Sequence, residues 1–211
     1  MALVSEKHNF MFFHLYKCGG MSLRHFIKNL NIDTKEIQEG HSCPKDMLEL
    51  YSSENKKDDF IKSFKFTFIR NPFDFMVSTF FYAKSYTNHF MHNDVVGRNM
   101  TMLEFIPYYF SVREQHKDNQ IRPLGSNKVV TFKDWLLVND VCIVDFIGKT
   151  ENYNEDMKIV CDTIGLSLKD FPKTNVNPNR LTDYQKYYTT ESRKLIEKYF
   201  EWELNEFNYN F

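Results

Sequence analysis

Six consecutive positions carry Lys17, Cys18, Gly19, Gly20, Met21 and Ser22. A lysine ammonium, two glycines and a hydroxyl in so short a span suit one task, which is gripping an anion. Glycine lets backbone N–H groups come close to a ligand. If a helix starts at the glycines, its unpaired N–H groups and dipole add partial positive charge at the same point. The chemistry indicated is phosphate binding. A second basic group occurs in Arg70-Asn71-Pro72, with Ser78 eight residues after the arginine, about two helical turns.

The elements needed to position these groups are legible on either side. Residues 10–16 are too short for a stable helix and too apolar for a loop, so they read as a buried strand. Residues 22–30 place Leu23, Phe26, Ile27 and Leu30 at helical spacing. Ile37 suggests a brief strand, and Pro44 suits the first turn of a helix reaching about Tyr51. The polar residues 52–59 read as a solvated connector. Residues 64–69 form a second apolar strand, and Pro72 opens a helix over 73–86 with Phe73, Met76, Val77, Phe80 and Phe81 on one side. Strand, sharp turn and helix thus occur twice, which implies a parallel sheet. Ligands bind beyond the C-terminal ends of such strands. Lys17 and Arg70 both fall at such ends, so one shared anion site is expected.

Downstream, residues 88–99 are polar and irregular, and 101–109 suggest a short helix. Residues 111–128 form a charged insertion holding His116 and Gln120. Thr131 suits a helix N-cap. Residues 141–147 read as a strand, 154–164 as a helix stopped by Gly165, and 190–207 as a final helix. The Phe-rich stripe at 73–81 reads as core.

The remaining sequence narrows the function classes. The chain has 211 residues, and 1–211 reads as one domain. Its formal net charge of −1 argues against a polyanion-coating protein, so no nucleic-acid partner is expected. Cysteines 18, 43, 142 and 161 contain no C-x-x-C pair. No apolar run approaches the roughly 18 residues of a membrane span, and the start M-A-L-V-S-E-K-H does not make a signal peptide. A soluble, cytoplasmic protein is expected. His89 and His92 have i,i+3 spacing but no evident third ligand, so no metal is expected. The G-x-x-x-x-G-K-[ST] loop of nucleoside triphosphatases and the dinucleotide G-x-G-x-x-G are both absent.

The order K-x-G-G-x-S, then R-N-P-(x)5-S, resembles the carbohydrate-type, PAPS-dependent sulfotransferases of family 2. Tyr16 to Leu23 is similar to their P-K-T-G-G-T-S loop, and Phe66 to Ser78 to their F-[TV]-F-[VI]-R-N-P-x-D-R-x-x-S segment. Asp145 to Asn152 resembles D-F-I-G-R-x-E-N, and Tyr184 to Tyr209 resembles the family's tail. Tyr16 stands where that pattern has proline, Cys18 and Met21 where it has threonine, and Phe75 where arginine is frequent. The resemblance implies a three-layer α/β/α fold with a central parallel sheet, like that of P-loop nucleoside triphosphatases. It implies the donor 3′-phosphoadenosine 5′-phosphosulfate, no metal, and a hydroxyl acceptor, a sugar or glycan. Lys17 and the amides of Cys18, Gly19, Gly20, Met21 and Ser22 would hold the 5′-phosphosulfate, and Arg70 and Ser78 the 3′-phosphate. Lys17 would neutralise charge on the bridging oxygen. Neutral His41, in Gly40-His41, is the candidate base, and His116 and Gln120 resemble acceptor-facing positions. The alternatives are a P-loop-like small-molecule kinase and a non-catalytic nucleotide-binding relative.

Overall fold

A computed structural model describes residues 2–37, 43–115, 130–167, 181 and 183–211. Strand β1 (Ala2–Ser5) turns through Asn9, whose φ is 49°, into β2 (Phe10–Phe13), an all-apolar strand. Helix α1 (Gly20–Asn29) follows, then β3 (Lys35–Ile37), α2 (Pro44–Ser53) and α3 (Lys57–Lys62). Strand β4 (Phe64–Ile69) leads into α4 (Pro72–Ser85), with Pro72 in the first turn and the Asn71 side chain accepting from the Phe73 N–H. Next come α5 (His92–Gly97), α6 (Met102–Gln115) and α7 (Phe132–Leu136), which is capped by Thr131. A two-residue hairpin, β5 (Leu137–Val138) and β6 (Val141–Cys142), precedes β7 (Phe146–Lys149). Helix α8 (Tyr153–Ile164) ends on Gly165 in the left-handed region, and α9 (Thr190–Tyr199) and α10 (Glu201–Glu206) close the chain.

The main sheet has the order β3-β1-β2-β4-β7. Its β2–β4 and β4–β7 pairings are parallel, while β1 runs antiparallel to both of its neighbours. The sheet is therefore mostly parallel, as the expected central parallel sheet requires, with β1 as the strand that runs against it. The reason is local. A four-residue turn returns β1 directly alongside β2, and only an antiparallel pair can be joined so tightly.

Side-chain alternation along the strands sorts the core into two faces. Leu3, Phe10, Phe12, Phe66 and Phe68 pack with Leu23 and Phe26 of α1 and Met157 and Val160 of α8. Ala2, Val4, Met11, Phe13 and Ile69 join the larger cluster containing Met47 of α2, Met76 and Val77 of α4, and Phe105 of α6. Helices thus cover both faces, giving three layers. Phe75, at the position where the family pattern often has arginine, packs edge-on against Phe132 at 5.0 Å.

Several boundaries differ from the sequence reading. Residues 88–99, read as irregular, contain α5, and the helix read over 101–109 runs on to Gln115, into the stretch read as an insertion. The first strand stops at Phe13, because the chain must turn before α1. Residues 57–62 are helical, with Phe60 buried against Tyr51. Residues 141–147 divide between β6 and β7, and 190–207 breaks at Phe200, whose φ of −115° is not helical.

One buried cation holds the far end of the sheet. Lys65 is 5% exposed, and its Nζ donates to the carbonyls of Ser63 at 2.6 Å and of Phe60 and Ile61 at 3.3 Å. It also pairs with Asp145 at 2.8 Å. Asp145 in turn accepts the Lys65 N–H at 2.7 Å, clipping the start of β7 to β4. Replacing Lys65 with methionine would orphan the carbonyls at the end of α3. An expected loss of about 2–4 kcal/mol follows, measurable by urea unfolding.

Candidate functional site

The three parallel strands end side by side, and the segments leaving them meet. From β2 the chain runs through residues 14–19, from β4 through Arg70-Asn71, and from β7 through the short 3₁₀ turn Thr150–Asn152. Thr67 anchors the first pair by donating to the Phe13 carbonyl at 2.7 Å inside the core.

The glycines of the first loop do different work. Gly19 has a φ of 75° and is the N-cap of α1, so no side chain caps that helix. Its carbonyl accepts from the Tyr153 hydroxyl at 3.0 Å and from the Ser22 N–H at 3.0 Å. Gly20 is needed for space, since a Cβ there would lie 1.9 Å from His14 Cδ2. Lys17 itself is left-handed, with a φ of 57°. That conformation costs a non-glycine residue about 1–2 kcal/mol, so strain is stored at this lysine.

Arg70 joins this loop to the next strand. Its Nη1 donates to the Lys17 carbonyl at 3.3 Å, and its Nε donates to Asp74 Oδ2 at 2.6 Å within an ion pair. The guanidinium is largely buried, and burial pulls its pKa below the ordinary arginine value, with Cys18 and Glu151 opposing. Arginine stays charged even so. Of its five N–H groups, those on Asp74 and Lys17 are committed, and the others have no hydrogen bond among the described residues.

Helix α4 gathers the rest. Asp74, Ser78 and Tyr82 recur every four residues and form a half-buried stripe on a helix that is otherwise largely buried. Asp74 holds Arg70, Ser78 lies one turn on, and the Tyr82 ring centroid lies 4.1 Å from Lys17 Nζ. Lys17, Arg70 and Ser78 are therefore on one side of the molecule, beside the N-terminus of α1. Cys18 is buried, and burial keeps its thiol protonated and uncharged. The Met21 sulfur faces Arg24 Nη1 at 3.6 Å, and Ser22 is buried in the first turn of α1. His41, His116 and Gln120 lie outside the described residues.

Several contributors carried no sequence role. Tyr153 stacks on Phe68 at 4.4 Å and reaches back to Gly19. The Asn71 N–H donates to Glu151 at 2.7 Å, and its side-chain amide donates to the Asn210 carbonyl at 2.8 Å and to Tyr184 Oη at 3.2 Å. Tyr209 donates to the second oxygen of Glu151 at 3.1 Å. These links tie the C-terminal segment over the Arg70 turn. Tyr82 could have been found from its spacing to Ser78. Glu151 falls within the Asp145–Asn152 segment already singled out by resemblance, whereas nothing in the local pattern marks Tyr153.

His89 and His92 are engaged separately. His92 Nδ1 meets the Ala83 carbonyl at 2.9 Å, whereas His89 Nδ1 accepts the Met91 N–H at 3.3 Å. The neutral His89 ring therefore carries its proton on Nε2 and donates to Tyr16 Oη at 3.2 Å. Among the described residues, no group of three or more His, Cys, Asp or Glu could hold a metal.

Compared with known proteins, residues 1–210 match the family model described as the sulfotransferase family, of the family-2 type. The chain belongs to the sulfotransferase family. Membership makes it a transferase, and sulfuryl transfer to a hydroxyl-bearing acceptor is the family's general chemistry. No curated protein and no solved structure matches this sulfotransferase. Among its described residues, no helix is long and apolar enough to cross a membrane.

Two outcomes test this geometry. Gly20→Ala must push into the His14 ring, and we expect a loss of about 2–3 kcal/mol in thermal unfolding, the range of overpacked sites. The second concerns pH. Burial first, then the charge of Lys17, with His92 and Arg113 adding, pushes the His89 pKa down to about 4. The unfolded chain takes up that proton near 6.5, so the stability from neutral His89 is complete above 6.5. It drains away as pH falls to about 4. Wild type should lose about 3–6 °C more in Tm over that window than His89→Gln does.

Proposed function

We propose that this sulfotransferase moves a sulfuryl group from 3′-phosphoadenosine 5′-phosphosulfate to the hydroxyl of a sugar or glycan. The observation that carries the reading is the 3.3 Å hydrogen bond from Arg70 to the Lys17 carbonyl, which puts two cations at neighbouring strand ends. The residues present fit a doubly phosphorylated nucleotide. The uncapped first turn of α1, reached through Lys17 and the left-handed Gly19, suits one anionic end. The spare Arg70 donors and the Ser78 hydroxyl, which has no hydrogen bond among the described residues, suit the other.

The donor, when bound, supplies the sulfuryl group and a phosphate leaving group. In this reading Lys17 neutralises charge on the bridging oxygen, and the Gly19 to Ser22 amides orient the 5′ end. Arg70 and Ser78 hold the 3′-phosphate, with the strand–loop–helix over residues 10–29 acting as a variant phosphate-binding loop. His41 takes the proton from the acceptor hydroxyl, and His116 and Gln120 face the acceptor. A lysine so placed would serve in-line transfer, because it would stabilise charge that grows only as the bond breaks.

Calorimetry with 3′-phosphoadenosine 5′-phosphate tests the assignment. Binding in roughly the micromolar range is expected, weakened about tenfold or more by Lys17→Ala and by Arg70→Ala. The arginine change is the more severe, since it also removes the cation that pairs with the Asp74 carboxylate beside the phosphate. If both variants bind as wild type does, the reading fails. A Tm raised by magnesium ATP and not by the 3′-phosphorylated nucleotide would favour a kinase instead.

A further inference from the structure

Lys17 is the group on which sulfuryl transfer turns, yet a lysine stem has four rotatable bonds and orders itself poorly. Its surroundings address that weakness. The ammonium sits 4.1 Å from the centroid of the Tyr82 ring, inside the range of a cation–π contact, with the Tyr16 ring at 5.9 Å. The Tyr82 ring is itself braced on several sides. Tyr86 stacks on it at 5.2 Å, His89 meets it edge-on at 5.3 Å, and Tyr16 meets it edge-on at 5.9 Å. Tyr82 also continues the stripe of α4 that carries Asp74 and Ser78, so the helix sets the ring's distance from Arg70.

We propose that Tyr82 is a positioning residue for Lys17, its ring holding the ammonium in place ahead of the donor. The proposal rests on the sulfuryl-transfer reading of the site. An aromatic face suits this duty better than a carboxylate would. It attracts the ammonium without cancelling its charge, and it yields to a phosphate oxygen, which attracts a cation more strongly. Ordering of the side chain is then complete before the nucleotide arrives, and binding does not have to supply it. The left-handed backbone at Lys17 works in the same direction, because it fixes where the stem begins.

The test combines a structural and a functional readout. In protein labelled with ¹³C-lysine, the Lys17 Cε–H signal, assigned by its loss in Lys17→Arg, should be shifted upfield by the ring current. Tyr82→Phe should keep that shift and Tyr82→Leu should abolish it. Affinity for 3′-phosphoadenosine 5′-phosphate should fall about three- to thirtyfold in Tyr82→Leu and recover in Tyr82→Phe. In the Lys17→Ala background, Tyr82→Leu should cost nothing further, since the ring acts through the lysine. An unchanged Lys17 signal in Tyr82→Leu overturns the proposal, and so does an affinity loss of equal size with and without Lys17. Should wild type fail to bind the nucleotide at all, the sulfuryl-transfer reading falls. The lysine signal then still decides whether Tyr82 holds Lys17.

Discussion

One largely covered guanidinium sets the geometry of this sulfotransferase. Arg70 grips Asp74 through Nε and Nη2 and the Lys17 carbonyl through Nη1, so it spans the ends of two neighbouring strands. Such a charge is costly to bury and tolerable only when paired. The pairing it finds is also what fixes the loop after β2 against the helix after β4. A planar, forked cation can do this, because its donors point in several fixed directions at once.

Around that bridge the architecture divides its labour. One face of the sheet supplies α1 and α8, and from α8 comes Tyr153, wedged over Gly19 and seated on Phe68. The other face supplies α4, whose half-buried stripe meets the same loop from the opposite side. The loop is therefore clamped between the helix layers on the two faces of the sheet. Its two non-standard conformations, at Lys17 and Gly19, persist because both neighbours enforce them.

Much of this was legible in the sequence because the signals were local. The apolar run of β4, Pro72 opening α4, the Thr131 cap and Gly165 closing α8 each act within a few residues. The position of Lys17 and Arg70 on one side also followed, since parallel topology puts strand ends together. What escaped depended on distant partners. The antiparallel β1 is a four-residue strand whose identity comes from pairing with β2 and β3. The helix over 57–62 looks like a charged connector until Phe60 meets Tyr51. Tyr153 gains its role only from Gly19 and Phe68, each more than 50 positions away, which no periodicity can reveal.

The knot of hydrogen bonds about Asn71 has a kinetic consequence. Its side-chain amide waits for the Asn210 carbonyl, 139 residues later, and its N–H waits for Glu151, 80 residues later. Contacts of such high order form late and slow a folding reaction. On the ribosome, β2, α1, β4 and α4 emerge long before that partner does, so the Arg70 turn is finished only after Asn210 has been made. The turn that holds Arg70 thus stays unfinished through the making of every helix and strand that flanks it.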